Sequence, residues 1–201
     1  MSTDNLKWLT AWEALGDIAT FIEAQNKVLG RKAEWVIVGG SYPGALSAWF
    51  KQLYPDHAVA AWSSSGVINA IEQFEDFDRD LYDRANESRN GCANWVRNVI
   101  EHVEDEFRTD EGTKRVCEAF HIGVAELDKQ DFQFFLADII TTGIQYGDRV
   151  KMCETFDNHH HDIEDLMKTV AKFGADKGVK YTDYWRVKLQ DEEIDTNSSI
   201  R

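Results

Sequence analysis

The stretch of sequence that decides the fold is EWVIVGGSYPG, residues 34–44. Residues 34–38 are apolar without alternation and rich in β-branched and aromatic side chains, which is typical of a parallel strand buried on both faces. A glycine-rich turn follows, and from Ala45 to Tyr54 the apolar positions recur at helical spacing. We therefore expect a buried strand that passes through a tight turn directly into a helix.

The residues on either side extend this element into a larger unit. Pro55 ends the helical pattern, and residues 58–63 read AVAAWS, a second apolar run of strand length. A helix that connects two parallel strands of one sheet forms a right-handed crossover. Upstream, residues 11–29 predict a helix that stops at Gly30. The first third of the chain therefore predicts an α/β strand–helix–strand unit.

After Gly66 the pattern changes to charged, helix-patterned sequence without a clear strand. The apolar spacing predicts helices near residues 70–86, 92–108, 111–120, 131–146 and 162–173. We predict an α/β fold class in three parts: a partial core at residues 1–68, a mostly helical insertion at 69–190, and a polar tail or return linker at 191–201.

Composition limits the partners that this chain can have. It has 201 residues, 43% of them hydrophobic, and a formal net charge of −14. Nucleic acid and anionic membranes need a basic face, so we expect neither as a partner. The start of the chain has no signal-peptide pattern, and no run approaches the ~20 apolar residues of a membrane span. Three cysteines without CxxC spacing predict no metal site, and we expect no cofactor.

Ser41 is the candidate catalytic residue. A serine in a sharp turn between a buried strand and a helix is the context of a nucleophile elbow. The backbone of such a turn is strained, so the flanking positions must be small, and Gly39 and Gly44 supply the room. The backbone amide of Tyr42, at the helix start, can donate to an oxyanion. We therefore predict Ser41 as a nucleophile, with an elbow formed by Gly39, Gly40, Pro43 and Gly44.

The elbow departs from the generic G-x-S-x-G pattern, because Pro43 stands where the second glycine belongs and Gly44 comes one residue late. Two other interpretations therefore stay open. Ser41 could be the helix N-cap of an unrelated α/β protein. A phosphate-binding loop is the weaker alternative, because the lysine of G-x-x-x-x-G-K-[ST] is missing.

Residues 35–50, WVIVGGSYPGALSAWF, resemble the nucleophile segment of the serine peptidase family of Pro-Xaa carboxypeptidase, dipeptidyl peptidase II and thymus-specific serine protease. Members of that family carry GGSY followed by PG or GG, so Pro43 matches the family pattern. Similarity continues in shorter segments on both sides, at residues 5–10, 14–18, 54–55, 64–67 and 145–147 with Cys153.

The resemblance implies an α/β-hydrolase with an inserted helical domain, and a lysosomal, vacuolar or secreted location. It implies a peptide substrate cut next to proline, as a carboxypeptidase or dipeptidyl peptidase, with Ser41 assisted by a His and an Asp. It also implies a disulfide between Cys92 and Cys153, and a partner for Cys117 beyond residue 201. The alternative for the cysteines is three reduced core residues in a cytosolic protein.

The catalytic Asp and His cannot be assigned. In this fold they follow the serine in chain order, yet no strand-rich stretch follows residue 66. The run NHHHD, residues 158–162, lies inside the helical part, and we interpret it as a solvated loop rather than a catalytic or metal site. His57, His102 and His121 are interpreted as surface or structural residues. We therefore expect a fragment, a truncated gene model or a degenerate relative, with incomplete catalytic machinery.

Three functions follow from these observations. The first is a serine exopeptidase of proline specificity, present as its nucleophile region and insertion. The second is a non-catalytic helical interaction module that keeps the elbow as scaffold. The third is another α/β-hydrolase activity, such as an esterase. A two-stranded sheet leaves its edges unpaired, so we also expect either association, with a homodimer as one form, or instability.

Overall fold

The computed structural model describes residues 3–184, and this part of the chain is mostly helical, with one two-stranded parallel sheet. Its backbone divides into two compact units, Met1–Gln73 and Phe74–Arg201, and the sheet lies in the first. Across the described residues no helix is both long enough and apolar enough to cross a bilayer. The predicted tail at residues 191–201 lies outside the described range.

The first unit contains the strand–helix–strand arrangement that the sequence predicts. The strands are parallel, and their register runs from Val36 opposite Ala60 to Gly40 opposite Ser64. In chain order the elements are a 3₁₀ turn at Thr3–Trp8, α1 (Ala11–Leu29), β1 (Val36–Gly40), α2 (Tyr42–Leu53) and β2 (Ala60–Ser64).

Local sequence signals set both ends of α1. The Thr10 hydroxyl accepts a hydrogen bond from the Glu13 amide at 3.2 Å, which caps the N-terminus. Gly30 ends the helix in the left-handed region, at φ 65°, where glycine is favoured. Between these caps, Ile22 is buried and packs in one cluster with Phe50 of α2. The helix prediction for residues 11–29 is confirmed.

The expectation that both strands are buried on both faces is wrong for the described residues. Side chains alternate across a strand, and Ile37 packs into the core cluster with α1 and α2. The opposite face carries Val38 and Trp62, and each of these side chains is 67% exposed. Residues 34–38 show no alternation of apolar and polar residues because both faces of β1 are apolar. Helices α1 and α2 cover only the face that carries Ile37.

The second unit is helical, as predicted. Four of the five predicted helices match within a few residues, and the first begins at Glu75 rather than near residue 70. The elements are α3 (Glu75–Ser88), α4 (Cys92–Glu106), α5 (Asp110–Phe120), α6 (Lys129–Gln145), α7 (Arg149–His159) and α8 (Ile163–Asp176), with 3₁₀ turns at Val124–Glu126 and Tyr181–Asp183.

Helix α7 was not predicted, because its sequence shows little contrast between faces. Its buried side chains are Met152, Cys153 and Phe156, and most of its remaining residues are polar. Tertiary contacts therefore hold this helix in place. Cys153 forms a disulfide with Cys92 at the start of α4, and Phe156 packs at 6.0 Å from the ring of Phe173.

Candidate active site

Ser41 occupies a strained backbone conformation between β1 and α2. Its φ is 58° and its ψ is −126°, a region that residues with a side chain rarely adopt and that costs free energy to hold. The residue stands at the N-cap position of α2, but its side chain makes no capping hydrogen bond and is exposed. The helix N-cap interpretation is therefore not supported, because the hydroxyl does not stabilise the helix start.

Two glycines make the turn sterically feasible. A Cβ added to Gly39 would lie 2.0 Å from the Pro43 carbonyl oxygen, and one added to Gly44 would lie 2.8 Å from the Ser64 carbonyl oxygen. Real Cβ contacts are not this short, and both obstructing atoms are backbone. Gly40 differs, since a Cβ there would meet the same Ser64 oxygen at an ordinary 3.8 Å.

Backbone and side-chain hydrogen bonds tie the turn to β2. The Ser41 amide donates to the Ser64 carbonyl at 3.0 Å. The buried Ser47 hydroxyl lies 2.8 Å from the Gly44 carbonyl and 3.1 Å from the Trp62 carbonyl, and it links the first turns of α2 to the strand. These contacts fix the height and orientation of the turn at the carboxyl ends of both strands.

The start of α2 supplies an electropositive environment beside Ser41. Tyr42 is the first helical residue, so its amide has no acceptor within the helix. Pro43 follows in the first turn, where its missing N–H costs no hydrogen bond. The N-terminal end of the helix favours negative charge. Of the predicted elbow residues, Gly39 and Gly40 end β1, Ser41 lies between the two elements, and Tyr42, Pro43 and Gly44 begin α2.

Within the described residues the Ser41 hydroxyl has no hydrogen-bond partner that could act as a base. His57 belongs to the same unit, but it packs against Tyr54 with ring centroids 5.5 Å apart and lies 3.1 Å from the Glu23 carboxylate. Helix α2 has 12 residues, which corresponds to ~18 Å. His57 follows the far end of that helix, so it cannot accept a proton from Ser41.

The three consecutive histidines make local contacts in the second unit. His159 ends α7, and its Nδ1 lies 2.6 Å from the Asp165 carboxylate. His160 stacks on Trp95, with ring centroids 4.8 Å apart, and its Nδ1 lies 2.6 Å from the Asp157 carbonyl. The expectation of a solvated loop is therefore wrong for His159, which is helical, and for His160, which is half-buried.

The cysteines divide into one pair and one free thiol. Cys92 and Cys153 form a disulfide, the same pair that the family resemblance implies, so the alternative of three reduced cysteines is wrong. Cys117 is buried and not bonded to another described cysteine. Burial raises the pKa of its thiol, which keeps it protonated and unreactive near neutral pH.

In the first unit, Ser41 stands between β1 and α2, at the carboxyl ends of two parallel strands. The family model described as Serine carboxypeptidase S28 matches residues 1–198. The chain belongs to this family of serine peptidases. The match runs through both units and includes Ser41.

Individual relatives agree with the family assignment. The chain is 26% identical to a probable serine protease of Arabidopsis thaliana, over all of this chain and 43% of the relative. It is 33% identical to a putative serine protease of Caenorhabditis elegans, over 71% of this chain and 27% of the relative. It is 30% identical to the lysosomal Pro-X carboxypeptidase of Homo sapiens, over 64% of this chain and 27% of the relative. The chain thus spans less than half the length of the curated relatives that it matches.

Sequence reasoning missed two residues that shape the turn. Ser47 has no motif around it, and only its burial and its two carbonyl partners show its role. Ser65 follows β2 with φ 48°, a second non-glycine residue in the left-handed region beside the turn. The run of three serines before Gly66 was the available signal, because serine tolerates turn conformations better than β-branched residues do.

Proposed function

We propose that this chain carries the nucleophile of a serine peptidase, and that Ser41 attacks the carbonyl carbon of the scissile peptide bond. The observation that carries the proposal is the backbone of Ser41. Ser41 has a strained conformation, and its exposed side chain does not cap α2, the helix that it precedes. Strain of this kind persists where the surrounding structure requires it, and it clusters at functional sites.

The turn supplies two parts of the acyl-transfer reaction. The Ser41 oxygen forms a bond to the carbonyl carbon, and the negative charge that develops on the carbonyl oxygen is stabilised by the Tyr42 amide at the start of α2. The serine proton goes to a histidine that an aspartate orients, and the same histidine then protonates the leaving amine. Neither partner is in contact with Ser41 in the described residues, so both must come from elsewhere in the active enzyme.

The framework for this reaction is the core of an α/β-hydrolase. In this proposal residues 1–68 form a part of that core, and residues 69–190 form its helical insertion. The boundary between the two compact units, at Gln73 and Phe74, supports this division. The exposed apolar face with Val38 and Trp62 supports it too, because parallel sheets in α/β folds have both faces covered.

The substrate in this proposal is a peptide with proline beside the scissile bond, cut by an exopeptidase. Support comes from the relatives named lysosomal Pro-X carboxypeptidase in Homo sapiens and Bos taurus. The side chains of Tyr42 and Trp62 are 48% and 67% exposed near the turn, and aromatic side chains of this kind suit a proline ring.

A fluorophosphonate probe tests the nucleophile assignment. The active enzyme, in which the histidine and the aspartate are supplied, is treated with the probe and digested, and the labelled peptide is identified by mass spectrometry. We expect the label on the peptide that contains Ser41 and no label in Ser41→Ala. Ser65→Gly is the matched control, because it removes a neighbouring exposed hydroxyl, suits the positive φ of that position and keeps the nucleophile. A label that survives in Ser41→Ala would refute the assignment.

The substrate class requires a separate assay on a labelled, active protein. Peptides with proline on the amino side of the scissile bond are compared with matched alanine peptides and with a short ester. We expect turnover of the proline peptides above that of the alanine peptides. Hydrolysis of the ester while both peptides are ignored would instead favour an esterase.

A second candidate function is a non-catalytic interaction module. The absence of a base at Ser41 in the described residues favours it, and so does a cavity of about 800 Å³ in the second unit. Its walls include Leu81, Val96 and Ile144, and the exposed Phe134 stands at its edge. A folded enzyme that contains the histidine and the aspartate but shows no Ser41-dependent labelling would support this candidate over the peptidase.

A further inference from the structure

Three side chains with metal-binding atoms meet between α4 and α8 of the second unit. His102 and Glu106 lie four residues apart on α4 and therefore share one face of that helix. Glu164 comes from the first turn of α8. One ligand atom from each residue lies within 4.8 Å of the other two. The site is formed by one imidazole nitrogen and two carboxylate oxygens.

The spacing of these atoms suits a small divalent cation. In a tetrahedral zinc site the ligands lie ~2.0–2.1 Å from the metal, so neighbouring ligand atoms are about 3.3 Å apart. His102 Nε2 and Glu164 Oε1 are 3.2 Å apart without any rearrangement. Since the ligand atoms lie within 4.8 Å of one another, the Glu106 carboxylate must approach by up to roughly 1.5 Å to complete the set, which a glutamate side chain achieves by rotation about its χ angles.

The surroundings leave the ligands accessible but not fully solvated. The side chains of His102, Glu106 and Glu164 are 17%, 14% and 37% exposed. Partial burial lowers the effective dielectric constant and strengthens the attraction of a cation to two carboxylates. The remaining exposure gives water access to the fourth coordination position.

Arg115 on α5 opposes a cation at this position. Its Nε donates to Glu106 Oε2 at 2.7 Å, and one of its terminal nitrogens donates to Glu106 Oε1 at 2.9 Å. These two bonds hold the Glu106 carboxylate in place beside α5. Each carboxylate oxygen keeps a second lone pair for a metal, but the guanidinium charge repels the incoming ion.

We propose that His102, Glu106 and Glu164 form a zinc-binding site that ties α4 to α8, with water as the fourth ligand and Arg115 as the residue that limits affinity. The mixed nitrogen and oxygen ligand set suits Zn²⁺ rather than Mg²⁺ or Ca²⁺, which prefer oxygen alone. Zinc bound to the folded state stabilises the helical unit by mass action. The prediction of no metal site rested on the cysteines and the consecutive histidines and overlooked the His–Glu pair four residues apart.

Calorimetric titration of the metal-free, disulfide-intact protein with zinc chloride near neutral pH tests this proposal. We expect saturable binding at one site, and a zinc-dependent rise in the melting temperature. His102→Ala and Glu164→Gln each weaken binding by roughly tenfold or more, and Arg115→Gln strengthens it.

The matched control concerns the other histidine-rich part of the chain. A variant with His160→Ala and His161→Ala retains the proposed ligands and removes the neighbouring histidines, so we expect wild-type affinity. Circular dichroism of each metal-free variant shows whether it folds. The proposal is overturned if no zinc binds, if folded His102→Ala and Glu164→Gln keep wild-type affinity, or if the His160/His161 variant alone loses binding. None of these results depends on Ser41.

Discussion

Reduction of the disulfide between Cys92 and Cys153 is expected to destabilise the helical unit strongly. The bridge joins residues 61 positions apart. In the chain-entropy description, closing a loop of that length lowers the conformational entropy of the unfolded chain, which stabilises the folded state by about 4 kcal/mol. For a domain of ~100–150 residues, a loss of this size lowers the melting temperature by about 15 °C.

Thermal melting followed by circular dichroism, with and without a phosphine reductant, measures this effect. Thiol titration of the denatured protein provides the state of the cysteines: one thiol before reduction, from Cys117, and three afterwards. A double variant with Cys92→Ala and Cys153→Ala serves as control, because its melting temperature must not respond to the reductant.

Two results would refute this reasoning. Three free thiols in the unreduced protein would mean that the bridge does not form in solution. One free thiol together with a melting temperature that changes by less than ~3 °C on reduction would mean that the closed loop does not constrain the unfolded state as described.

Three further changes test the turn and the electrostatics of the second unit. Gly39→Ala places a Cβ against backbone, so we expect it to lower the unfolding free energy by about 3 kcal/mol or more and to abolish probe labelling. Gly40→Ala is the control and is tolerated, because a Cβ there meets no close atom. Equal urea midpoints for the two variants would contradict the steric explanation. Ser47→Ala removes a buried hydroxyl with two carbonyl partners, and urea unfolding should show a loss of about 1–2 kcal/mol; an unchanged midpoint would mean that these bonds do not hold the turn. Because the Arg115 hydrogen bonds depress the pKa of Glu106 in the folded state, their stabilisation is full above the ordinary glutamate pKa and is lost as the pH falls through the lowered one. The difference in melting temperature between wild type and Arg115→Gln should therefore shrink under acid conditions, and a pH-independent difference would contradict this linkage.

The local pattern of the first unit was readable from sequence because each signal has one physical cause. The unbroken apolar run at residues 34–38 and the glycines after it require a strand and a tight turn, and the structure places β1 and α2 there. The prediction that both faces of the strands are buried was wrong. An apolar face shows that a strand can pack against another layer of structure, but not that the described residues supply that layer. The exposed Val38 and Trp62 are the result.

The second unit was harder to predict wherever tertiary contacts outweigh local pattern. Helix α7 has few apolar residues, and it is held by Phe156 and by the bridge at Cys153. The contact of His102 with Glu164 joins residues 62 positions apart, so no spacing rule reveals it. Of that cluster, only the pair His102 and Glu106 could be recognised from sequence, because the two residues lie four positions apart on one helix.

The central claim is that the turn presents residue 41 as an activated nucleophile at the start of α2. A thiol placed at that position reports this environment even though no base contacts Ser41 in the described residues, because a helix N-terminus lowers the pKa of a cysteine. Gln52 is exposed in the last turn of the same helix, so Gln52→Cys is the matched control. The native cysteines contribute little background, since two are bridged and Cys117 is buried.

The measurement is the rate of alkylation by iodoacetamide as a function of pH for Ser41→Cys and Gln52→Cys. We expect the thiol at position 41 to titrate about one pH unit below the ordinary value of ~8.5, and the thiol at position 52 to titrate at or above it. Equal pKa values at the two positions, or a higher value at position 41, would contradict the assignment of this turn as a nucleophile elbow.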